Sequence, residues 1–203
     1  MKRRYTILWS VALCALASFC SAQQPLPNAP APAAVGTKSA SPIYTPPTQS
    51  ERFKMYLKHT YGVSSVIEAA VRGGIEQKRE EPSEWPQDGQ GYLDRFGSSM
   101  GQIAIRGTTS YVLADLFKED LRRCSTCTNS KFKAALEDTF MARKGEDGHE
   151  ALSVARIVAP WSGSAVAIET WYPSGYGGAE IARQASLSYG FQFLRNYIRE
   201  LTH

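Results

Sequence analysis

The chain has 203 residues, and 23 lysines and arginines against 19 aspartates and glutamates give it a formal net charge of +4. Three of the basic residues stand in the first four positions, so the remainder is nearly neutral. Basic and acidic side chains also alternate, as in IEQKREEPSE, which excludes the clustered positive surface that nucleic-acid binding requires. We therefore expect no nucleic-acid partner.

Residues 1–22 are typical of a secretory signal peptide. Lys2, Arg3 and Arg4 precede an apolar stretch, and small residues stand just before Gln23. Cleavage after Ala22 would remove two of the four cysteines. In the alternative interpretation the segment is kept as an anchor, although it is shorter than the roughly 20 residues of a membrane span. Both interpretations predict an exported protein of the periplasm or outer envelope.

Residues 23–47 are rich in proline, alanine and serine and carry hardly any large apolar side chain. Such a segment cannot bury enough surface to offset the entropy of ordering it. We predict a disordered linker, which would act as a spacer or as a solvated leader without a partner. The ordered domain, residues 48–203, should begin where Thr48 and Glu51 have the spacing of a capping box.

Apolar residues recur at three- and four-residue steps through residues 48–203, which predicts a single all-α helical-bundle domain. We expect about five helices and little or no sheet, apart from a small hairpin around Gly145 to Gly148. Asn129 or Ser130 can cap the third helix, and Ser153 can cap the fourth. The predicted helices cover roughly residues 51–81, 90–121, 130–143, 154–172 and 187–201.

The first and last predicted helices have the clearest patterns. The first has an apolar and a charged stripe, as in a helix that packs through its apolar face. Its apolar stripe comprises Phe53, Leu57, Tyr61, Ile67, Val71 and Ile75, and its charged stripe comprises Lys54, Lys58, Glu68, Arg72 and Glu76. The last helix has a narrow seam suited to packing on neighbours, formed by Leu187, Phe191, Leu194, Ile198 and Leu201.

Two segments of the domain resemble each other, and each combines an acid, a tryptophan, a proline and a pair of glycines before a long helix. The shared residues are Trp85, Pro86, Gly89 and Gly91 in the first segment and Trp171, Pro173, Gly175 and Gly177 in the second. One interpretation is a duplicated pair of helical hairpins. The other is that both segments turn with proline and glycine because these residues suit tight turns.

Glycines also occur inside the predicted helices, where each costs about 1 kcal/mol relative to alanine. We expect close helix approach to offset that cost. The glycines concerned are Gly73, Gly74, Gly97, Gly101, Gly107, Gly163 and Gly190.

No stretch reaches the length of a membrane span, but several aromatic residues either fill a soluble core or lie at a membrane interface. They are Trp161, Trp171, Tyr172, Tyr176, Tyr189 and Tyr197.

Cys124 and Cys127 are the cysteines that remain after cleavage, in the segment RRCSTCTN. We favour a local disulfide in an oxidising compartment, and free thiols or a redox or metal function are the alternatives. A tetrahedral zinc ion is bound by about four ligands, and Cys124 and Cys127 supply two. We identify no catalytic residue, no metal site and no cofactor, since the three histidines and the pair Glu119 and Asp120 have patterns typical of solvated residues.

A set of short motifs follows the signal and the proline-rich leader in a definite order. They are EWPQDGQG with Arg95, Phe96 and Gly97; Glu119 and Asp120 before Arg122; TFMAR with Asp147 and Gly148; Trp171 to Pro173; and the closing NYIRE. This order resembles an uncharacterised family of exported proteins frequent in acidobacterial genomes. Members usually carry proline where this chain has Leu121. The family has no established activity, so the resemblance implies export and no mechanism.

Two functions fit these patterns. We favour a non-enzymatic helical protein of the cell envelope with a structural or partner-binding role. Its partner would be an unknown envelope component or a membrane surface, and an oligomer is compatible with the sequence. The alternative is a small exported thiol–disulfide protein in which Cys124 attacks and Cys127 resolves.

Overall fold

The computed structural model describes residues 44–122 and 130–202, which belong to the compact unit Pro42–His203. These residues form six helices and one small sheet. The helices are α1 (Gln49–Tyr61), α2 (Val63–Arg79), α3 (Gly89–Leu116), α4 (Lys131–Phe140), α5 (Val154–Thr170) and α6 (Gly178–Thr202). The strands are β1 (Glu119–Asp120), β2 (Met141–Lys144) and β3 (His149–Leu152). The prediction of a helical bundle is confirmed.

The first predicted helix is divided into α1 and α2 at Gly62. The backbone of Gly62 is extended, with φ of −73° and ψ of 170°, and the Gly62 N–H donates to the carbonyl of Lys58 at 3.1 Å. A Cβ at this position would stand 2.2 Å from the Lys58 carbonyl oxygen. The predicted capping box of Thr48 and Glu51 opens α1. Packing nevertheless begins before Thr48, because the Tyr44 hydroxyl donates to Asp120 at 3.1 Å.

The sheet contains the predicted hairpin and one more strand. β2 and β3 pair antiparallel and turn through Gly145 and Gly148, which have φ values of 70° and 66°. β1 pairs antiparallel with the other edge of β2. The predicted second helix therefore ends too late at Leu121, because the chain turns into β1. The third predicted helix is also too long, since residues 141–143 belong to β2.

The prediction that the apolar stripe of the first helix packs inward is wrong. Glu68, Arg72 and Glu76 of α2 are buried, whereas Ile67 and Val71 are 57% and 45% exposed. Within this charged stripe, Arg72 donates hydrogen bonds to polar side chains of the helices that it faces. The polar side chains of α3 and α6 that face it are Gln102, Gln184 and Ser188.

The buried apolar residues are mostly alanines. They are Ala69, Ile103, Ala114, Ala135, Ala142, Ala155, Ala159, Ala167, Ile168, Tyr172 and Ala185. The predicted seam on α6 packs only in part: Leu187 and Phe191 are half-buried, whereas Leu194, Ile198 and Leu201 are exposed. Tyr172 lies in the core, whereas Trp161 and Trp171 are exposed. The bundle thus combines a small-residue, polar interior with apolar side chains outside.

Several helix glycines allow the close approach predicted for them. A Cβ on Gly73 would stand 3.1 Å from the backbone of Phe96, and one on Gly163 would stand 2.6 Å from the Gln102 carbonyl oxygen. Gly101 and Gly107 likewise face Trp171 and Thr60. The explanation is wrong for three others. Gly74, Gly97 and Gly190 have no atom within 4 Å of the position of a Cβ.

Replacement of Gly163 by alanine should destabilise the fold by about 1–3 kcal/mol, because the new methyl group would separate α3 and α5. The matched variant Gly190→Ala should stabilise the fold by up to about 1 kcal/mol, since alanine favours a helix and the space there is open. Urea unfolding of both variants measures the difference. Equal effects of the two substitutions would contradict the proposed close packing of α3 on α5.

Candidate functional site

Glu68 on α2 is the centre of a buried ion-pair cluster. Its carboxylate oxygens accept hydrogen bonds from Arg106 on α3 at 2.9 and 3.1 Å. The guanidinium group of Arg195 on α6 lies 3.5 Å away, and that of Arg72 lies 4.0 Å away. Burial alone would raise the pKa of Glu68, but the charge of Arg106, assisted by Arg195 and Arg72, lowers it. The ionised carboxylate therefore links α2, α3 and α6.

Arg72 extends this cluster along the inside of α2. Its guanidinium donates to Gln184 at 2.6 Å, to Gln102 at 2.9 Å and to Ser188 at 3.1 Å. The side-chain amide of Gln184 in turn donates to Glu76 at 2.9 Å. Although Arg72 Nε and Glu76 Oε2 have no hydrogen-bond partner among the described residues, these bonds partly offset the cost of burying the charges. They also fix the relative positions of the three helices.

A cavity of about 120 Å³ lies beside this network, between α1, α3, α5 and α6. Four arginines line it, whereas Asp138 is the one acidic residue in its wall among the described residues. Glu68 stands behind two of the arginines. We call this space the arginine cavity. Its charged and polar lining comprises His59, Thr60, Arg106, Ser110, Asp138, Arg156, Gln192, Arg195, Asn196 and Arg199.

The arginines around the cavity repel one another. Burial and the neighbouring Arg106 lower the pKa of Arg195. Burial also lowers the pKa of Arg156, and the carboxylates of Asp138, Glu119 and Asp120 oppose this while the charge of Arg199 adds to it. The lowered pKa values of both arginines show that the nearby carboxylates do not fully offset burial and mutual repulsion. An anion in the cavity would relieve the remaining repulsion.

Each guanidinium group is positioned differently. Arg106 is held by Glu68, and Arg156 donates to the backbone carbonyls of Asp138 and Leu121, the latter at 3.0 Å. Arg199 on α6 has no side-chain partner within residues 44–122 and 130–202. It is therefore the cavity arginine most available to an incoming ligand.

The pair Glu119 and Asp120 is buried, so its interpretation as a solvated face is wrong. The Glu119 carboxylate accepts from Ser153 at 2.5 Å and from the backbone N–H groups of Val154 and Ala155 at 2.8 and 3.1 Å. A carboxylate at this position stabilises the positive N-terminal end of α5. Since α5 carries Arg156 in its first turn, Glu119 also helps to position that arginine at the cavity.

His59 and Thr60 close the α1 side of the cavity. His59 is exposed as a residue, but neighbouring atoms crowd its imidazole. This desolvation, together with the positive charges of Arg195 and Arg199, lowers the pKa of His59 to about 4. The Thr60 hydroxyl is buried and has no hydrogen-bond partner among the described residues. His59 is thus neutral at pH 7, and Thr60 has an unused hydroxyl beside the cavity.

The two tryptophan-containing turns lie together, away from the arginine cavity. The ring of Trp85 lies 5.5 Å from that of Tyr172, and the Ser83 N–H donates to the Tyr176 hydroxyl at 3.2 Å. The Trp171 ring N–H donates to Ser98 at 2.9 Å. Of the other turn residues, Pro86, Gly89, Gly175 and Gly177 are exposed and Pro173 is half-buried. The duplication of the two segments stays a prediction.

Arg95 organises the first of these turns, and the sequence interpretation assigned it no role. It is fully buried and donates to the carbonyls of Glu81, Pro86 and Gly91 at 2.8, 2.8 and 3.0 Å. A Cβ on Gly91 would stand 1.7 Å from the Pro86 carbonyl oxygen, so this position requires glycine. These residues have a packing role.

Sequence patterns did not identify the arginine cavity either. None of the four arginines that line it was a candidate site residue in the sequence. One usable signal existed, because Arg195 and Arg199 are one helical turn apart and so share a face of α6. Cys124 and Cys127 lie outside the described residues. Their disulfide and redox interpretations stay predictions.

Comparison of the chain with protein-family models, curated proteins and solved structures found no match in any of the three. Across residues 44–122 and 130–202, no helix is long and apolar enough to span a membrane. Within the same part of the chain, no group of three or more histidine, cysteine, aspartate or glutamate side chains could hold a metal ion. The resemblance to an acidobacterial family stays a prediction.

The electrostatics of the cavity can be measured at His59. We expect NMR titration to give a pKa of about 4, and Arg199→Gln should raise it because one neighbouring positive charge is removed. Arg79→Gln, which changes an exposed arginine outside the cavity, should leave it unchanged. Because the folded pKa lies below the unfolded value of about 6.5, His59 reduces stability as pH falls from about 6.5 towards 4. A wild-type pKa near 6.5 would contradict the described charge cluster.

Proposed function

We propose that this protein is an exported, non-catalytic binding protein whose arginine cavity holds the anionic group of a ligand. The observation that carries the proposal is that four arginines line one cavity, with a single acidic residue in its wall among the described residues. A guanidinium group presents paired N–H donors that match the oxygens of carboxylates and phosphates. The expected ligand group is therefore a phosphate or a carboxylate.

The side chains around the cavity favour binding over catalysis. Arginine stays protonated near neutral pH and acts as a hydrogen-bond donor. His59, with a pKa of about 4, lies outside the range in which general acid–base catalysis at pH 7 is most effective. The cavity thus supplies hydrogen bonds and positive charge to a ligand.

Export and partner binding are further parts of the proposal. Export rests on the signal-like residues 1–22 and on the family resemblance. Exposed apolar side chains on α1 and α2, including Phe53, Val63 and Ile67, support association with an envelope component or a membrane surface. The thiol–disulfide alternative rests on Cys124 and Cys127 in the sequence and stays a prediction.

Isothermal titration with inorganic phosphate tests the proposed ligand group. We expect saturable binding by the wild-type protein, and Arg199→Gln should weaken it at least about tenfold because a charge-assisted hydrogen bond is lost. Arg79→Gln removes the same charge from the protein outside the cavity and should bind phosphate normally. Absence of saturable binding, or equal weakening by both substitutions, would contradict the proposal.

A further inference from the structure

A second cavity of about 80 Å³ adjoins the arginine cavity between α1 and α3. Residues that line both cavities are His59, Thr60, Gly107, Ser110 and Leu121, so the two spaces share one wall. We call the second space the apolar cavity, because its lining atoms are mainly apolar. Its other lining includes Pro47, Met55, Tyr56, Tyr111 and Ala114.

The two charged residues of the apolar cavity are engaged elsewhere. Arg52 donates to the backbone carbonyls of Ala114 and Glu119 at 3.3 and 2.8 Å. The Glu119 carboxylate accepts from Ser153 and from the N-terminal end of α5. Neither charge is therefore directed at a ligand. A group in this cavity would meet mostly carbon atoms and aromatic rings.

The wall between the cavities contains an unsatisfied polar group. Thr60 is 1% exposed, and its hydroxyl has no partner among the described residues. A buried hydroxyl without a hydrogen bond is costly, and such groups call for an explanation. A Cβ on Gly107 would stand 2.1 Å from this hydroxyl oxygen, so glycine allows α3 to lie directly against Thr60. The hydroxyl is therefore covered by α3, and an atom in the cavity would reach it only after rotation of the Thr60 side chain.

We infer that the two cavities hold the two ends of one ligand, a phosphate monoester with a short aliphatic group. This inference rests on the proposed function, which assigns the anionic end to the arginine cavity. The aliphatic end would occupy the apolar cavity, and the ester oxygen would lie at the wall that the two cavities share. A cavity of about 150 Å³ holds benzene, so the apolar cavity, at about half that volume, suits a chain of a few carbon atoms.

Calorimetric titration with inorganic phosphate and with n-butyl phosphate separates the two ends. Each buried methylene should tighten binding roughly fourfold, so we expect n-butyl phosphate to bind roughly 10- to 100-fold more tightly than phosphate. Equal affinities would overturn the inference while leaving the proposed function intact. Absence of binding by both compounds would overturn the proposed function and the inference together.

A cavity-filling variant tests where the aliphatic end lies. Ala114→Leu should remove most of the advantage of n-butyl phosphate and preserve the affinity for phosphate, because Ala114 lines only the apolar cavity. The control Ala179→Leu changes an exposed alanine outside both cavities and should preserve both affinities. An undiminished advantage in Ala114→Leu would overturn the inference.

A second variant enlarges the apolar cavity and does not depend on tolerance of a larger side chain. Met55→Ala should move the preference from n-butyl phosphate to n-hexyl phosphate, and an unchanged preference would count against the inference.

Vesicles containing phosphatidic acid distinguish a lipid from a soluble monoester. Sedimentation of the wild-type protein with these vesicles would count against the inference, because the acyl chains are longer than the apolar cavity can hold. Binding of n-butyl phosphate without sedimentation would support it with a soluble source.

Discussion

The carboxylate of Glu68, shared by three guanidinium groups, is the constraint on which the interior of this bundle depends. Removing charges from water is expensive, and buried pairs are tolerated when hydrogen bonds satisfy them. Here Arg106 binds both carboxylate oxygens, and Arg195 and Arg72 approach from two other directions. The arrangement ties α2 to α3 and α6. It also places two of the guanidinium groups at the edge of the arginine cavity.

A polar interior changes how the helices can pack. Most of the buried apolar residues are alanines, glycines such as Gly73 and Gly163 allow close helix approach, and many larger apolar side chains are exposed. The hydrogen-bonded network fixes geometry, whereas apolar side chains such as Ile67 and Val71 are left exposed on α2. Burial of polar side chains and exposure of apolar ones therefore account both for a charged cavity within the bundle and for an apolar surface suited to association.

Local features of the fold could be predicted from the sequence. The caps at Thr48 and Ser153 and the positive φ at Gly145 and Gly148 depend on residues within a few positions of each other. The burial of Glu68 and Glu119 could not be predicted in this way. The groups that donate hydrogen bonds to these carboxylates stand 34 or more positions away, and helical periodicity alone cannot show which face of a helix finds such donors.

The arginine cavity could not be predicted either, because its residues come from distant parts of the sequence. Arg106, Arg156 and Arg199 belong to three different helices, and their convergence depends on the packing of α3, α5 and α6. Glycine patterns were partly informative: close approach explains Gly107, and nothing within the described residues explains Gly97. Cysteine spacing pointed to a segment that lies outside these residues. A sequence pattern thus located turns and caps more reliably than the interior.

The most direct test is the thermal stability of Glu68→Gln, measured in phosphate and in chloride at equal ionic strength. Loss of this buried carboxylate should destabilise the protein by about 3–5 kcal/mol, because three guanidinium groups lose their shared partner. Phosphate should raise the melting temperature of this variant more than that of the wild type, since the cavity then has a larger positive excess. Equal shifts in both proteins, or a variant as stable as the wild type in chloride, would contradict the account.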